Sequence, residues 1–138
     1  MNPPNPWAWL RSRPSIDLVW GGLPVGWRGA TDGSTIWIAE RLTQRERRST
    51  LAHEITHIEL GLLGPQPPVC EERVRVATAR WLLPDLDAIA DALADSTPED
   101  AALDLWVADD ILTTRLAHLT AGERDHISRT AENREDSP

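Results

Sequence analysis

Leu51, Ile55, Ile58 and Leu62 recur at the spacing of one face of an α-helix. The segment begins with Thr43-Gln44-Arg45-Glu46, a capping box: the Thr43 hydroxyl accepts from the backbone N–H of Glu46, and the Glu46 side chain reaches back to the N–H of Thr43. Gly61, Gly64 and Pro65 stop it, so the pattern predicts a helix over about 43–62. Upstream the period shortens. Residues 16–20 alternate as a short strand would, and Gly21-Gly22 and Pro24 break the chain after them. Two more short runs, 27–31 and 34–39, flank Asp32-Gly33, a pair that tolerates positive φ and signals a hairpin. In the second run Ile36 and Ile38 share one face, Thr35 and Trp37 the other.

Downstream the pattern is helical throughout. A loop with Pro65, Pro67 and Pro68 leads to a helix over 70–83, which Pro84 ends. Residues 85–93 form a third helix with Leu86, Ile89 and Leu93 inward. Ser96-Thr97-Pro98-Glu99 reads as a cap with proline at the first helical position and acid in the first turn. Asp109 or Asp110 starts a helix through 119, and a last turn runs through Ile127. Residues 1–6, rich in Asn and Pro, are expected to fray, and 131–138 to form a polar disordered tail. Strands first and helices after mean α+β: a small antiparallel or mixed N-terminal sheet packed on the 43–62 helix, then a helical C-terminal part. The length of 138 residues fits one domain over 1–130, with an arm (1–15), the sheet and two central helices (16–84) and a helical part (85–130).

Composition narrows the function. A net charge of -8 and a pI near 4.9 repel phosphate backbones and argue against direct nucleic-acid binding. Cys70 is the single cysteine, so no internal disulfide forms, and a free thiol suits the cytoplasm. The first residues do not read as a secretion signal, and no apolar run spans a bilayer. Arg41, Arg45, Arg47 and Arg48 cluster ahead of the central helix, as a solvated face or as a rim for an acidic partner. Seven Trp stand against no Phe and no Tyr; they read as core packing, with a Trp-lined peptide groove as the other possibility.

The chemistry concentrates in His53-Glu54-Ile55-Thr56-His57. Residues four apart on a helix stand one above the other, so both imidazoles reach one ion. Glu54 projects about 100° away and acts on water beside the ion rather than binding it. A catalytic zinc takes three protein ligands and keeps one position open. Glu71 and Glu72 on the next helix are both candidates for the third ligand, and periodicity does not choose between them, since each continues an apolar stripe. Either can also serve only as a first-turn acid at a helix N-terminus. Cys70 adjoins them and is a weaker candidate. The oxyanion of a hydrolytic reaction needs a further donor. With no tyrosine in the chain, His118, His126 and Arg75 are the candidates.

Taken together, residues 48–57 and the segment from Glu71 to Pro84 resemble the ImmA/IrrE metallopeptidases of phages, integrative elements and bacteria. The resemblance covers about 16–119. It implies that a later helix supplies the third ligand. Counting back from Leu82-Leu83-Pro84, that ligand is Glu71. Many members carry Asn or Asp four residues further on, where this chain has Arg75, so the group that fixes the histidine tautomers must come from elsewhere. The resemblance implies a Zn2+ endopeptidase that cleaves a helix-turn-helix repressor. The rival is a non-cleaving antirepressor that binds its partner around a structural zinc. The 34–39 strand leads towards the site, and its edge is expected to take an extended peptide by strand addition.

Overall fold

The computed structural model describes residues 4–135. Their order is α1 (Pro6–Arg11), β1 (Asp17–Trp20), β2 (Gly29–Thr31), β3 (Thr35–Ile38), α2 (Gln44–Leu60), α3 (Pro68–Leu82), α4 (Leu86–Ala94), α5 (Pro98–Asp104), α6 (Asp109–Ala117) and α7 (Ala121–Glu135). This is α+β, a small mixed sheet followed by helices. No helix among the described residues is long and apolar enough to cross a membrane.

Helix α2 forms as its sequence dictates. Thr43 and Glu46 make both capping-box bonds, and Gly61 closes the helix in the left-handed region at φ 68°. Its middle is buried on nearly every side, from Ser49 through His57 except the half-buried His53. Leu51 and Ile55 join Ile36, Ile38, Ala39 and Leu42 in one apolar cluster. Ala52 belongs to a second cluster with Ala79, Leu82, Ile89, Val107 and Leu112. Residues from α2 therefore belong to both clusters.

The hairpin turn sits at Asp32-Gly33, with Gly33 at φ 97° and the Asp32 carboxylate accepting from the N–H groups of Ser34 and Thr35. The strand order is β1-β3-β2, with β1 parallel and β2 antiparallel to β3. Both edges of β3 are thus paired, which corrects the expectation that the 34–39 strand takes a peptide on its edge. The strand at the sheet edge beside α2 is β2. Arg28 accepts from the N–H of Ala39, and Asp32 donates to the carbonyl of Thr35. In an antiparallel ladder such inward bonding alternates, so Gly29 and Thr31 turn their backbone groups to the outer edge.

The arginine cluster is partly solvated, with Arg41 exposed, and it also ties backbone together. Arg41, Arg45, Arg47 and Arg48 donate to the carbonyls of Trp27, Val107, Glu40 and Trp106 at 3.1, 2.7, 2.7 and 2.9 Å. Ser49 adds an acceptor for the N–H of Ala108 at 2.9 Å. The first turns of α2 thereby hold the corner between α5 and α6, where Trp106 adopts φ 59°. The tryptophans divide: Trp7, Trp9 and Trp81 pack against the clusters, while Trp20, Trp27 and Trp106 stay about half exposed.

Both chain ends carry more helix than the apolar pattern foretells. Asn5 caps α1 by accepting from the N–H of Ala8, and Pro6 takes a first-turn position. Helix α3 likewise starts at Pro68, two residues ahead of the expected 70. Helix α7 continues through Glu135, so the tail expected from 131 is helical that far; 136–138 lie outside the described residues. Only Ile127 of α7 packs against a core cluster. Polar contacts hold the rest: His126 to Asp87, Arg134 to Asp91, and Glu123 to Arg115 and Arg80.

Glu123 accepts from the buried Arg115, from the N–H of Thr120 and from Arg80, and these hold its carboxyl well below the usual carboxylate range. A carboxyl depressed in this way contributes stability that is complete above its unfolded value of about 4.5 and is lost as pH falls towards the folded value. Glu123→Gln is expected to cost ~1–3 kcal/mol at about pH 7, the worth of hydrogen bonds to charged groups. The deficit relative to wild type should shrink on going to about pH 3, because the unfolded wild-type chain takes up a proton there that the folded carboxylate does not. Denaturant unfolding of both proteins at the two pH values measures it, and a deficit that grows with acidity would contradict the assignment.

Candidate metal centre and its cleft

His53 and His57 lie one turn apart on α2, with ring centroids 4.9 Å apart at an interplanar angle of 67°. Helix α3 crosses α2 and brings the Glu71 carboxylate to both: Oε2 is 3.7 Å from His53 Nε2 and Oε1 is 3.3 Å from His57 Nε2. The three donor atoms all lie within 4.8 Å of one another. Among the described residues no other group of His, Cys, Asp or Glu converges in this way, and Cys70 stays outside it. Neighbouring ligands of one tetrahedral zinc with bonds near 2.0–2.1 Å stand about 3.3 Å apart, so the spacing fits a single cation.

The protonation pattern fits as well. His57 Nδ1 is 2.8 Å from the carbonyl of Leu62. A carbonyl only accepts, so Nδ1 donates to it, and Nε2 is the nitrogen turned towards Glu71. Burial, and then the neighbouring His57, push the His53 pKa down to about 4, which leaves this imidazole neutral at about pH 7. The tautomer-fixing partner that Arg75 does not supply is thus a backbone carbonyl just past the end of α2.

Glu54 is buried, and burial, with the Glu71 charge second, raises its pKa to about 7. A cation held by the three donors beside it lowers that value. Glu54 lines two clefts that flank the histidine pair. One, of about 390 Å³, runs between β2 and α6 and includes Arg28, Arg75, Asp110 and Thr114. The other, of about 520 Å³, runs between β2 and the loop after α2 and includes Ala30, Thr31, Leu62 and Gln66. Trp27, Gly29, His53, Glu54 and Glu71 line both. At Gly29 a Cβ would lie 2.6 Å from Thr50 Cγ2 and 3.4 Å from Glu54 Cγ, so only glycine lets β2 come this close to α2.

The remaining candidates separate. Glu72 turns away from the histidine pair: Arg75 donates to it through Nε and a terminal nitrogen at 2.9 and 2.7 Å, and His118 Nε2 is 3.1 Å from its other oxygen. Arg75 lines the 390 Å³ cleft. His126 lies on α7 against Asp87 at 2.6 Å and lines a different cavity, so it is not near the developing charge. Arg28 also lines the cleft, 3.5 Å from Asp110. Sequence reasoning passed over Arg28 and Gly29. An isolated glycine inside a strand was the available signal for Gly29; nothing in the pattern marks Arg28.

A family model for a peptidase, described as the IrrE N-terminal-like domain, matches residues 24–118. The match starts just ahead of β2 and ends with α6, and so takes in both clefts and every donor just described. No curated protein and no solved structure matches the chain.

Two neighbouring acids provide a direct test of the donor set. Glu71→Ala is expected to weaken zinc binding by more than about 100-fold, beyond the ~10–100-fold typical of outer-shell changes. Glu72→Ala should change it by less than about 10-fold. Competition against a chromophoric chelator reads both, and equal losses in the two variants would refute the arrangement.

Proposed function

Because the chain belongs to the IrrE N-terminal-like peptidase family, we propose that it is a zinc-dependent endopeptidase acting inside the cell on one protein target, a helix-turn-helix repressor. The observation that carries this reading is the convergence of His53, His57 and Glu71, with buried Glu54 beside them in an open cleft. Two imidazoles and one carboxylate from separate helices are the donor set of catalytic zinc sites. The resemblance to the ImmA/IrrE metallopeptidases supports the choice of a repressor, and a net charge of -8 suits a basic DNA-binding partner.

Zinc in such a site supplies Lewis acidity, polarising a peptide carbonyl and lowering the pKa of water. The residues of the chain do the rest. Glu54 takes the proton from the attacking water and delivers it to the leaving nitrogen. Gly29 and Thr31 offer their outward backbone groups to an extended substrate, which adds as a strand beside β2. Arg75, oriented by Glu72, lies within the cleft as the donor for the developing oxyanion, and His118 acts on it only through Glu72. A structural-zinc antirepressor gives no reason for burying an acid between two clefts.

Glu54→Gln separates the readings. The variant is expected to keep its zinc within about 10-fold of the wild-type affinity and to lose at least ~100-fold in cleavage, the usual share of a general base. The assay mixes the zinc-loaded protein with candidate repressors encoded beside it and follows fragments by mass spectrometry. Undiminished cutting by Glu54→Gln would sink the mechanism; intact repressor held in a stable complex by wild type would favour the antirepressor.

A further inference from the structure

The two clefts beside the histidine pair differ in charge. The 390 Å³ cleft contains Arg28, Arg75 and Asp110. In the 520 Å³ cleft the only acids are Glu54 and Glu71 of the site itself, and no lysine or arginine enters it. Its walls are Trp27 and Ala30 on one side and Leu62, Gly64, Pro65 and Gln66 on the other.

The walls of this pocket beyond the shared site carry no charge and are held by specific bonds. Gln66 Nε2 donates to the carbonyls of Leu63 and Gly64 at 2.8 and 3.3 Å. Leu62 is fastened to α2 twice, its N–H to the carbonyl of His57 at 3.0 Å and its carbonyl to His57 Nδ1. The hairpin tip rests on the same loop: a Cβ at Gly33 would lie 2.8 Å from Leu63 Cδ1. The bond that fixes the His57 tautomer is therefore also a bond that fixes the pocket wall. A pocket formed in advance spares the ordering cost of binding.

Direction follows from the sheet. Strand β2 runs from Gly29 to Thr31, with the charged cleft at its start and the uncharged one at its end. A peptide adding antiparallel to β2, the more stable pairing, runs the other way. Its N-terminal half lies beside Thr31 and the 62–66 loop, and its C-terminal half beside Arg28. A charged side chain in the pocket before the cut loses water and meets no counter-ion on the walls beyond Glu54 and Glu71, which the site itself uses, whereas an apolar one gains by leaving water.

Resting on the peptidase reading above, we propose that this site selects a large apolar residue immediately before the scissile bond, seated between Trp27, Ala30 and the 62–66 loop. The charged cleft receives the residue after the bond.

The test uses binding and cutting in parallel. Fluorescein-labelled extended peptides, alike except for Leu, Ser, Asp or Lys at one position, are titrated into zinc-loaded Glu54→Gln and followed by anisotropy. Leu should bind at least about 10-fold more tightly than Asp or Lys, the order of discrimination an apolar pocket provides. Trp27→Ala in the same background should erode that preference while zinc affinity stays unchanged. Zinc-loaded wild type is also incubated with a peptide mixture from a denatured protein, and its cut sites are mapped by mass spectrometry. Cuts after Leu, Met or Phe support the inference. Cuts with no preference before the bond, or binding indifferent to the varied residue, overturn it and leave the peptidase reading standing. Selective binding with no cutting by wild type overturns that reading and supports the pocket. Neither binding nor cutting overturns both.

Discussion

Everything in this molecule is arranged around the burial of α2. A helix buried on nearly every side has no solvated face on which to place its polar groups, so each one needs a partner or a use. Arg45, Arg48 and Ser49 meet this demand by holding the α5–α6 corner. Thr56 folds back onto the carbonyl of Ala52. His57 uses the carbonyl of Leu62 and the carboxylate of Glu71. Glu54, the one buried acid among the described residues, is left to the clefts, and desolvation raises its proton affinity. Small residues make the arrangement possible. Ala52 and Ala79, both without exposure, sit in the cluster between α2 and α3. Helix axes approach as closely as the side chains at their contact allow, so alanines there bring Glu71 within reach of the histidines.

The same burial sets the three donors in place. Burial keeps the His53 imidazole neutral, and a lone carboxylate, about a third exposed, faces both histidines. The Leu62 carbonyl orients the His57 ring, so less reorganisation would oppose a cation held there. The order has a stability cost, since desolvated polar groups contribute less than apolar ones of the same size. The two apolar clusters on either side of α2 offset it, and the ion pairs at Arg115, Glu123 and Arg80 fasten the last helix without adding to the core.

Much of this was legible in the sequence, and the legible parts share a cause: they are local. The capping box at Thr43 and Glu46, the Asp32-Gly33 turn, the stop at Gly61 and the four-residue spacing of the histidines each depend on residues within one turn of one another. Short-range rules decide such features whatever the rest of the chain does. What was not legible depends on distance or on the backbone. Glu71 and Glu72 continue equally apolar stripes, and only the crossing of α2 by α3 turns one carboxylate inward and leaves the other to Arg75 and His118. The carbonyl of Leu62 has no side-chain signature. Helix α7 escapes an apolar-period reading because salt bridges rather than a hydrophobic stripe hold it. Helix α1 is a different case, since Asn5-Pro6 is a cap followed by a first-turn proline, and its Asn/Pro content was read as fraying instead.

Sheet order is the remaining non-local fact, and it decides where chemistry can occur. Had β3 been the edge strand, its inward face of Ile36 and Ile38 would still bury against α2, but the open backbone would sit one strand further from Glu54. Pairing β1 on the far side of β3 closes that edge and leaves β2 as the rim of the cleft. On the proposed peptidase reading, the rim must then approach α2 closely enough for its backbone and Glu54 to face one peptide bond. Any side chain at its first residue would hold it off: a Cβ at Gly29 already collides with Thr50. One glycine, placed where an edge strand passes over a buried helix, thus links the topology of three short strands to the geometry of the reaction.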